Sequence, residues 1–294
     1  MSTIKGFIIL IVVIFNTLFW VPILVLFSVV KFILPVALLR KKLSQFLVWI
    51  AYNWIWLNSN IHSLLHGNKI ALSGMNDLDK NDWYLVISNH RAAADIPILQ
   101  NIFYKKIPFL KFFLKKELIY VPFLGVAWWA LDFPFMRRFS AAYLAKNPHM
   151  KGKDLEVTKK ACEKFKDYPI SVINFIEGTR FTQQKHDKQH SKFKHLLKPK
   201  SGGIGFVLGS MGAQIKYLIQ VSLNYAPKAP SAWEYLCGDY QSVEVIVEKI
   251  KIPEELKNKN YITDAEFRKN LQNWLNQLWE KQDQRLEERH TAHE

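Results

Sequence analysis

Cysteine is scarce in this chain: two in 294 residues, Cys162 and Cys237, with no CxxC pair and no Cys/His cluster. That excludes a disulfide framework and a zinc site of the usual spacing, and it fits a reducing compartment. Acidic residues are also short, with 25 Asp plus Glu against 40 Lys plus Arg, a formal charge of +15. Such an excess predicts attraction to something anionic: nucleic acid, membrane headgroups or a phosphorylated substrate. There is no GxSxG nucleophile elbow and no GxxxxGK[ST] phosphate loop. "SGGIGFVLG" (201–209) spaces its glycines as GxGxxxG with no clear strand before it, so helix packing by small residues accounts for it better than dinucleotide binding.

Apolar and aromatic residues, by contrast, are plentiful: 49% hydrophobic, with 10 Trp, 11 Tyr and 20 Phe. Residues 7–30, "FIILIVVIFNTLFWVPILVLFSVV", carry no charge. As a helix they extend about 36 Å, enough to cross a hydrocarbon core of roughly 30 Å with some tilt. The run is too long for a signal-peptide core and lacks a small-residue cleavage pattern. Pro22 leaves two arrangements open, one span or two short helices that dip into one leaflet and return. Lys31, Arg40, Lys41 and Lys42 outnumber Lys5, which places the rest of the chain on the cytoplasmic side. A long membrane anchor fits nucleic-acid binding poorly. "FLVWIAYNWIWL" (46–57) reads as a second helix, interfacial or buried.

Beyond this region strand and helix signals alternate. "KIALSG" (69–74), "WYLVIS" (83–88), "PISVINF" (169–175), "YLIQVSLNY" (217–225) and "SVEVIVEKI" (242–250) read as strands. Helices are expected at 96–104, with Pro97 in the first turn, and at 203–212. A further helix, buried or interfacial, is expected at 118–131, and a polar-faced one within 140–166. The alternation predicts an α/β fold, a mostly parallel sheet flanked by helices, behind an N-terminal membrane-embedded helical segment. At the C-terminus, Thr263 with Glu266 spells a capping box, and Phe267, Leu271, Trp274, Leu275 and Leu278 recur at helical spacing. This amphipathic helix is expected to pack on the domain in preference to the membrane.

Two histidines have an aspartate five residues on: His90 with Asp95 in "NHRAAAD", and His149 with Asp154 in "HMKGKD". Only His90 follows an apolar strand and precedes a helix, the place where α/β sheets present functional loops. A carboxylate on one ring nitrogen holds the tautomer that leaves the other nitrogen free to take a proton. The rival role for Asp95 is to cap the following helix. A second candidate is "NFIEGTRFT" (174–182), where Arg180 follows a strand and a sharp turn and is suited to gripping phosphate. Arg137 and Arg138 in "FPFMRRF" form a third basic point. "KHDKQHSKFKHLLKPK" (185–200) adds six lysines and three histidines against one Asp, as a solvated loop or as an attractor of anionic headgroups.

In this order and separation the motifs resemble those of the glycerolipid acyltransferases, the family that contains the 1-acylglycerol-3-phosphate acyltransferases. "NHRAAAD" is similar to their NHx4D motif, "KKELIYVPFLG" to a connecting segment, "FPFMRR" to the second block and "FIEGTRFT" to the third. The resemblance implies that His90 deprotonates the acceptor hydroxyl for attack on an acyl thioester while Asp95 orients it. It implies an acceptor-phosphate site of Arg138, Glu177, Gly178, Thr179 and Arg180, supported by Asn89 and Arg137. The donor would be acyl-CoA or acyl carrier protein, with no cofactor and no metal. The product would be phosphatidic acid from 1-acyl-sn-glycerol-3-phosphate, made at a membrane by a domain facing the cytoplasm, on the bacterial inner membrane by analogy.

Three parts are expected: an anchor with interfacial helices at 1–66, the catalytic domain at 67–255 and the C-terminal helix at 256–294. Ile176 replaces the usual proline of the third block, Asp132 the usual glycine of the second, and "YLIQVSLNY" lacks the proline of the fourth. These blocks line the acceptor pocket, so a lysophospholipid with another headgroup stays open as the acceptor. A non-catalytic basic lipid-binding protein of the same fold, or hydrolysis of an acyl ester, are the further alternatives.

Overall fold

A computed structural model describes residues 1–136, 146–147 and 168–291. Arg137, Arg138, His149, Asp154 and the helix expected within 140–166 lie outside the described residues.

Two long helices open the chain, α1 (Ser2–Ile33) and α2 (Ala37–His66). They run antiparallel. Lys5 Nζ donates to Leu65 O (2.7 Å), Asn16 Nδ2 to Trp54 O (3.0 Å) and Asn58 Oδ1 (2.8 Å), and the Phe27 ring meets Phe46 at 4.7 Å. Pro22 does not divide α1. Proline forgoes one hydrogen bond inside a helix, and here Val21 and Leu24 seat the adjoining turns in the core. The chain reverses instead at Leu34–Val36, around Pro35. The hairpin therefore forms between two full-length helices, a correction to the reading in which residues 7–30 alone supply a hairpin.

The sheet has six strands in the order β1-β8-β7-β2-β6-β3. They are β1 (Ile70–Ser73), β2 (Tyr84–Ser88), β3 (Leu110–Phe112), β6 (Ser171–Phe175), β7 (Tyr217–Ala226) and β8 (Ser242–Lys251). All neighbours are parallel except β7 and β8, which pair antiparallel along ten residues each. A small parallel pair, β4 (Leu114–Lys115) and β5 (Phe135–Met136), stands beside it. This is the expected α/β arrangement.

Side chains alternate across the central strand, as the two-residue period of a strand requires. Tyr84 and Val86 join the core beneath the hairpin, with α3 (Asp95–Ile102) and α4 (Leu124–Ala130). Leu85 and Ile87 join a second core beneath α6 (Gly202–Met211) and α8 (Ala265–Thr291). The segment 118–131 is not one helix: a 3-10 turn at Lys116–Tyr120 precedes α4, with Phe123 between them at φ +62°. Two short helices, α5 (Gln183–Gln189) and α7 (Ala232–Cys237), complete the α-helices among the described residues.

The hairpin lies along the sheet's helical layer. Near its start α1 passes so close to α7 that a Cβ on Gly6 would stand 2.6 Å from Cys237 Sγ. At its far end Lys31 Nζ pairs with Asp132 Oδ2 at 2.6 Å. Its outer face stays apolar and exposed at Phe7, Phe15, Phe19, Leu26 and Phe32.

α8 packs on the domain, as expected, through Phe267, Leu271, Leu275 and Leu278, with Trp279 fully buried among them and Trp274 only partly so. The cap is one residue later than the expected box: Asp264 Oδ1 accepts from Phe267 N at 2.8 Å. Leu275→Ala should cost about 2–5 kcal/mol by leaving a cavity between α8 and the sheet. Trp274→Ala should cost clearly less, and denaturant midpoints of the two variants measure the difference.

Candidate active site

The register Ser88↔Phe175 sets the ends of β2 and β6 side by side, so the loops that follow them meet. One loop carries Asn89 and His90, the other Glu177 to Arg180, and Phe181 N closes the contact by donating to His90 O at 2.8 Å. Two motifs 87 residues apart are thereby brought together at the carboxyl end of the sheet.

Asp95 is fully buried and accepts four hydrogen bonds. Oδ2 receives Arg91 N (2.7 Å), Ala92 N (3.0 Å) and His90 Nδ1 (2.7 Å); Oδ1 receives the Tyr225 hydroxyl (2.6 Å). Its carboxylate points back into the loop, and the start of α3 has no side-chain cap, so the rival capping role is not the one it fills. Two backbone N–H groups and a phenol donate to this carboxylate, which leaves it an acceptor toward the imidazole as well. His90 therefore carries its hydrogen on Nδ1, and Nε2 is left as the proton acceptor. The ring is held flat against Phe175, with centroids 4.0 Å apart and planes 13° apart.

Tyr225 was not anticipated. It lies two residues beyond Leu223 on the same face of β7 as Ile219 and Val221, and that period was the available signal. Burial and the Asp95 charge push its phenol far above the ordinary value, so it stays a donor. Arg91 was also missed. Its guanidinium stacks over Phe181 (4.4 Å) and donates to His195 O (3.0 Å), and burial lowers its pKa.

Asn89 and Glu177 prove to be ties. Asn89 extends the ladder with its side chain, Nδ2 donating to Leu223 O (2.9 Å) and Oδ1 accepting from Leu223 N (2.8 Å). Glu177 was expected at the acceptor phosphate. Instead it is fully buried, with Oε1 accepting from His90 N (2.8 Å) and Oε2 from Leu197 N (3.0 Å). A carboxylate so occupied ties two loops together. Gly178 makes the turn possible at φ +73°, a conformation that favours glycine. Thr179 Oγ1 and Arg180 O both accept from Lys185 Nζ at 2.9 Å. Arg180 itself is exposed, and its guanidinium has no partner among the described residues.

Part of the 185–200 basic run, two of its six lysines and one of its three histidines, pairs with α8. Lys192 pairs with Glu280, Lys194 with Glu287 (2.7 Å), and His195 with Glu287 (2.6 Å). It is thus neither wholly solvated nor wholly free for headgroups.

Two apolar cavities, of about 290 and 120 Å³, lie between the hairpin and α3. The larger reaches Ala93 and Ala94 of the His90 loop, and both are lined by Trp54, Ile55, Ile96 and Gln100. Among the described residues no group of three or more His, Cys, Asp and Glu is placed to hold a metal ion.

Burial pushes the Glu177 carboxyl up to about 7, against the two N–H donors that favour its charged form. A carboxyl raised in the fold contributes stability that is complete below the unfolded value and lost as pH rises through the folded one. Between pH 5 and 8 the protein should therefore lose stability relative to Glu177→Gln, by on the order of 3 kcal/mol. Paired thermal unfolding of the two proteins at both pH values measures it.

Residues 69–213 match the family model described as Acyltransferase. The 1-acyl-sn-glycerol-3-phosphate acyltransferase 3 of Arabidopsis thaliana is 25% identical over 173 residues, 55% of this chain and 41% of that protein. The human 1-acyl-sn-glycerol-3-phosphate acyltransferase gamma is 24% identical over 184 residues, 59% of this chain and 44% of that protein. The chain thus spans less than half the length of these curated relatives. Among solved structures, the 1-acyl-sn-glycerophosphate (LPA) acyltransferase PlsC from Thermotoga maritima superimposes with a TM-score of 0.54, covering 98% of each chain at 16% identity, a likeness of fold.

Proposed function

Because this chain belongs to the glycerolipid acyltransferase family, we propose that it moves a fatty acyl group from an acyl thioester to the free hydroxyl of 1-acyl-sn-glycerol-3-phosphate, giving phosphatidic acid. The observation that carries this reading is the His90–Asp95 pair, whose hydrogen-bond pattern leaves Nε2 as the ring's acceptor.

In the reaction His90 Nε2 takes the hydroxyl proton as that oxygen attacks the thioester carbonyl. The carbon–sulfur bond then breaks, and the thiol leaves with the proton that His90 held. Asp95 keeps the ring in register and offsets its transient positive charge. No protein nucleophile is needed. Arg180, exposed beside the His90 loop, would bind the acceptor phosphate together with Arg138. The larger apolar cavity, which reaches Ala93 and Ala94, suits the acyl chain, and acyl-CoA or acyl carrier protein would supply it.

The outer face of the hairpin is read as the membrane contact. α1 is docked to the domain at both ends, by Gly6 against Cys237 and by Lys31 against Asp132, so crossing a bilayer would draw the α/β domain in with it. The hairpin accordingly lies in one leaflet, with the domain on the cytoplasmic side.

His90→Ala should lower acceptor-dependent thiol release by about 10²–10⁴-fold, the usual contribution of a general base. Purified protein assayed with both donor types, with and without the lysophospholipid, decides this. Equal turnover in the variant, or fatty-acid release without acceptor, would point to a different chemistry. Orientation has its own test. In sealed vesicles, Ser2→Cys in a Cys162→Ser background should react with an impermeant maleimide from the side that bears the domain; labelling from the opposite side alone would establish a span.

A further inference from the structure

We propose that Gln282, on the C-terminal helix, is a positioning residue for His90, acting through Asn89. α8 lies outside the segment that matches the family model, yet it reaches the first residue of the catalytic motif. Gln282 is fully buried, and its Nε2 donates to Asn89 Oδ1 (3.2 Å) and to Val221 O (3.3 Å). Its Oε1 accepts from Gln220 Nε2 (2.7 Å), which also donates to Leu278 O (3.0 Å) on α8. Three buried amides thus join the helix, β7 and the residue before His90. Each is satisfied only in one arrangement, and a buried amide left unpaired is costly, so the set fixes the backbone that carries the base.

A second route leaves the next residue of the same helix. Asp283 accepts from Lys194 N (2.7 Å) and His195 N (2.8 Å), and Trp279 Nε1 holds Leu197 O (3.0 Å). Leu197 N then binds Glu177, whose other oxygen binds His90 N. The two routes end on adjacent residues, 89 and 90. A helix needed only to cover the sheet would do so with Leu271, Leu275 and Trp279 alone. The polar groups are aimed at the loop whose geometry sets the His90 Nδ1 contact with Asp95.

The test uses the full chain. Gln282→Leu keeps the volume and removes the amide; Arg285→Ala, on the same helix, which breaks a surface pair with Glu248 of β8, is the control. The readouts are kcat, KM for the lysophospholipid, melting temperature, and the downfield proton resonance of His90 Nδ1–H, identified by its loss in His90→Gln. Gln282→Leu should lower kcat by about 10- to 100-fold with KM little changed, the signature of a misplaced reacting group, and should shift or broaden the resonance. The kinetic arm rests on the transferase reading; the resonance is measured without substrate, so the failure of one remains distinct from the failure of the other. Unchanged resonance and kcat would overturn the proposal, and so would losses matched by Arg285→Ala. Should Gln282→Leu not fold, Asp283→Asn, at a half-buried position, carries the same comparison through the second route.

Discussion

The buried carboxylate of Asp95 is the constraint around which the site is organised. Moving a carboxylate out of water is costly unless its lone pairs are filled. Here they are filled by four donors from two parts of the chain: the loop at 90–92 and Tyr225 on β7. That requirement determines the loop's shape, because two of its own N–H groups must turn inward to reach Oδ2. It also determines the imidazole tautomer. A surface aspartate at the same spacing would impose neither condition, which is why a five-residue separation from a histidine means little without burial.

Around that centre the fold supplies ties in place of ligands. Glu177 holds His90 N and Leu197 N, and Asn89 substitutes for a strand residue opposite Leu223. Both are polar groups inside a motif, both are buried, and both serve the backbone. The polar groups of the same motifs that make no such tie, the imidazole of His90 and the exposed guanidinium of Arg180, are the ones the proposed chemistry would use. This separation follows from the sheet order, since neighbouring parallel strands deliver two loops with polar residues on their inner and outer sides.

Much of this was legible in the sequence. The strands at 69–74, 83–88, 169–175, 217–225 and 242–250 are short apolar runs bounded by polar residues, and they fold as such. His90 separated itself from His149 by the strand before it. What was not legible depends on three-dimensional partners. Pro22 passes through a helix because packing on both sides of it outweighs one lost hydrogen bond, a balance that no local rule contains. The basic run at 185–200 reads as free charge until Glu280 and Glu287, about 90 residues later, are folded against it. Glu177 sits in a motif beside an arginine and reads as a pocket residue, but its partners are amides of other loops.

The hairpin raises a different balance. Phe15, Phe19 and Phe32 are 68%, 61% and 76% exposed, while Val21 and Leu24, on the same helix, are nearly inaccessible. The inner face is thus already satisfied by the domain, and the outer face gains nothing from it. Fully burying a side chain of that kind is worth roughly 1.5–3 kcal/mol. A row of them left in water forgoes free energy comparable to the whole stability of a domain, about 5–15 kcal/mol. An apolar surface outside the protein recovers it, and the surface that suits a face flanked by Arg40, Lys41 and Lys42 is an anionic bilayer. The same hairpin walls both cavities, so in the proposed reading lipid on its outer face and an acyl chain on its inner one would share a pair of helices. The proposed acyl site and the proposed membrane contact would then be two sides of one structural element.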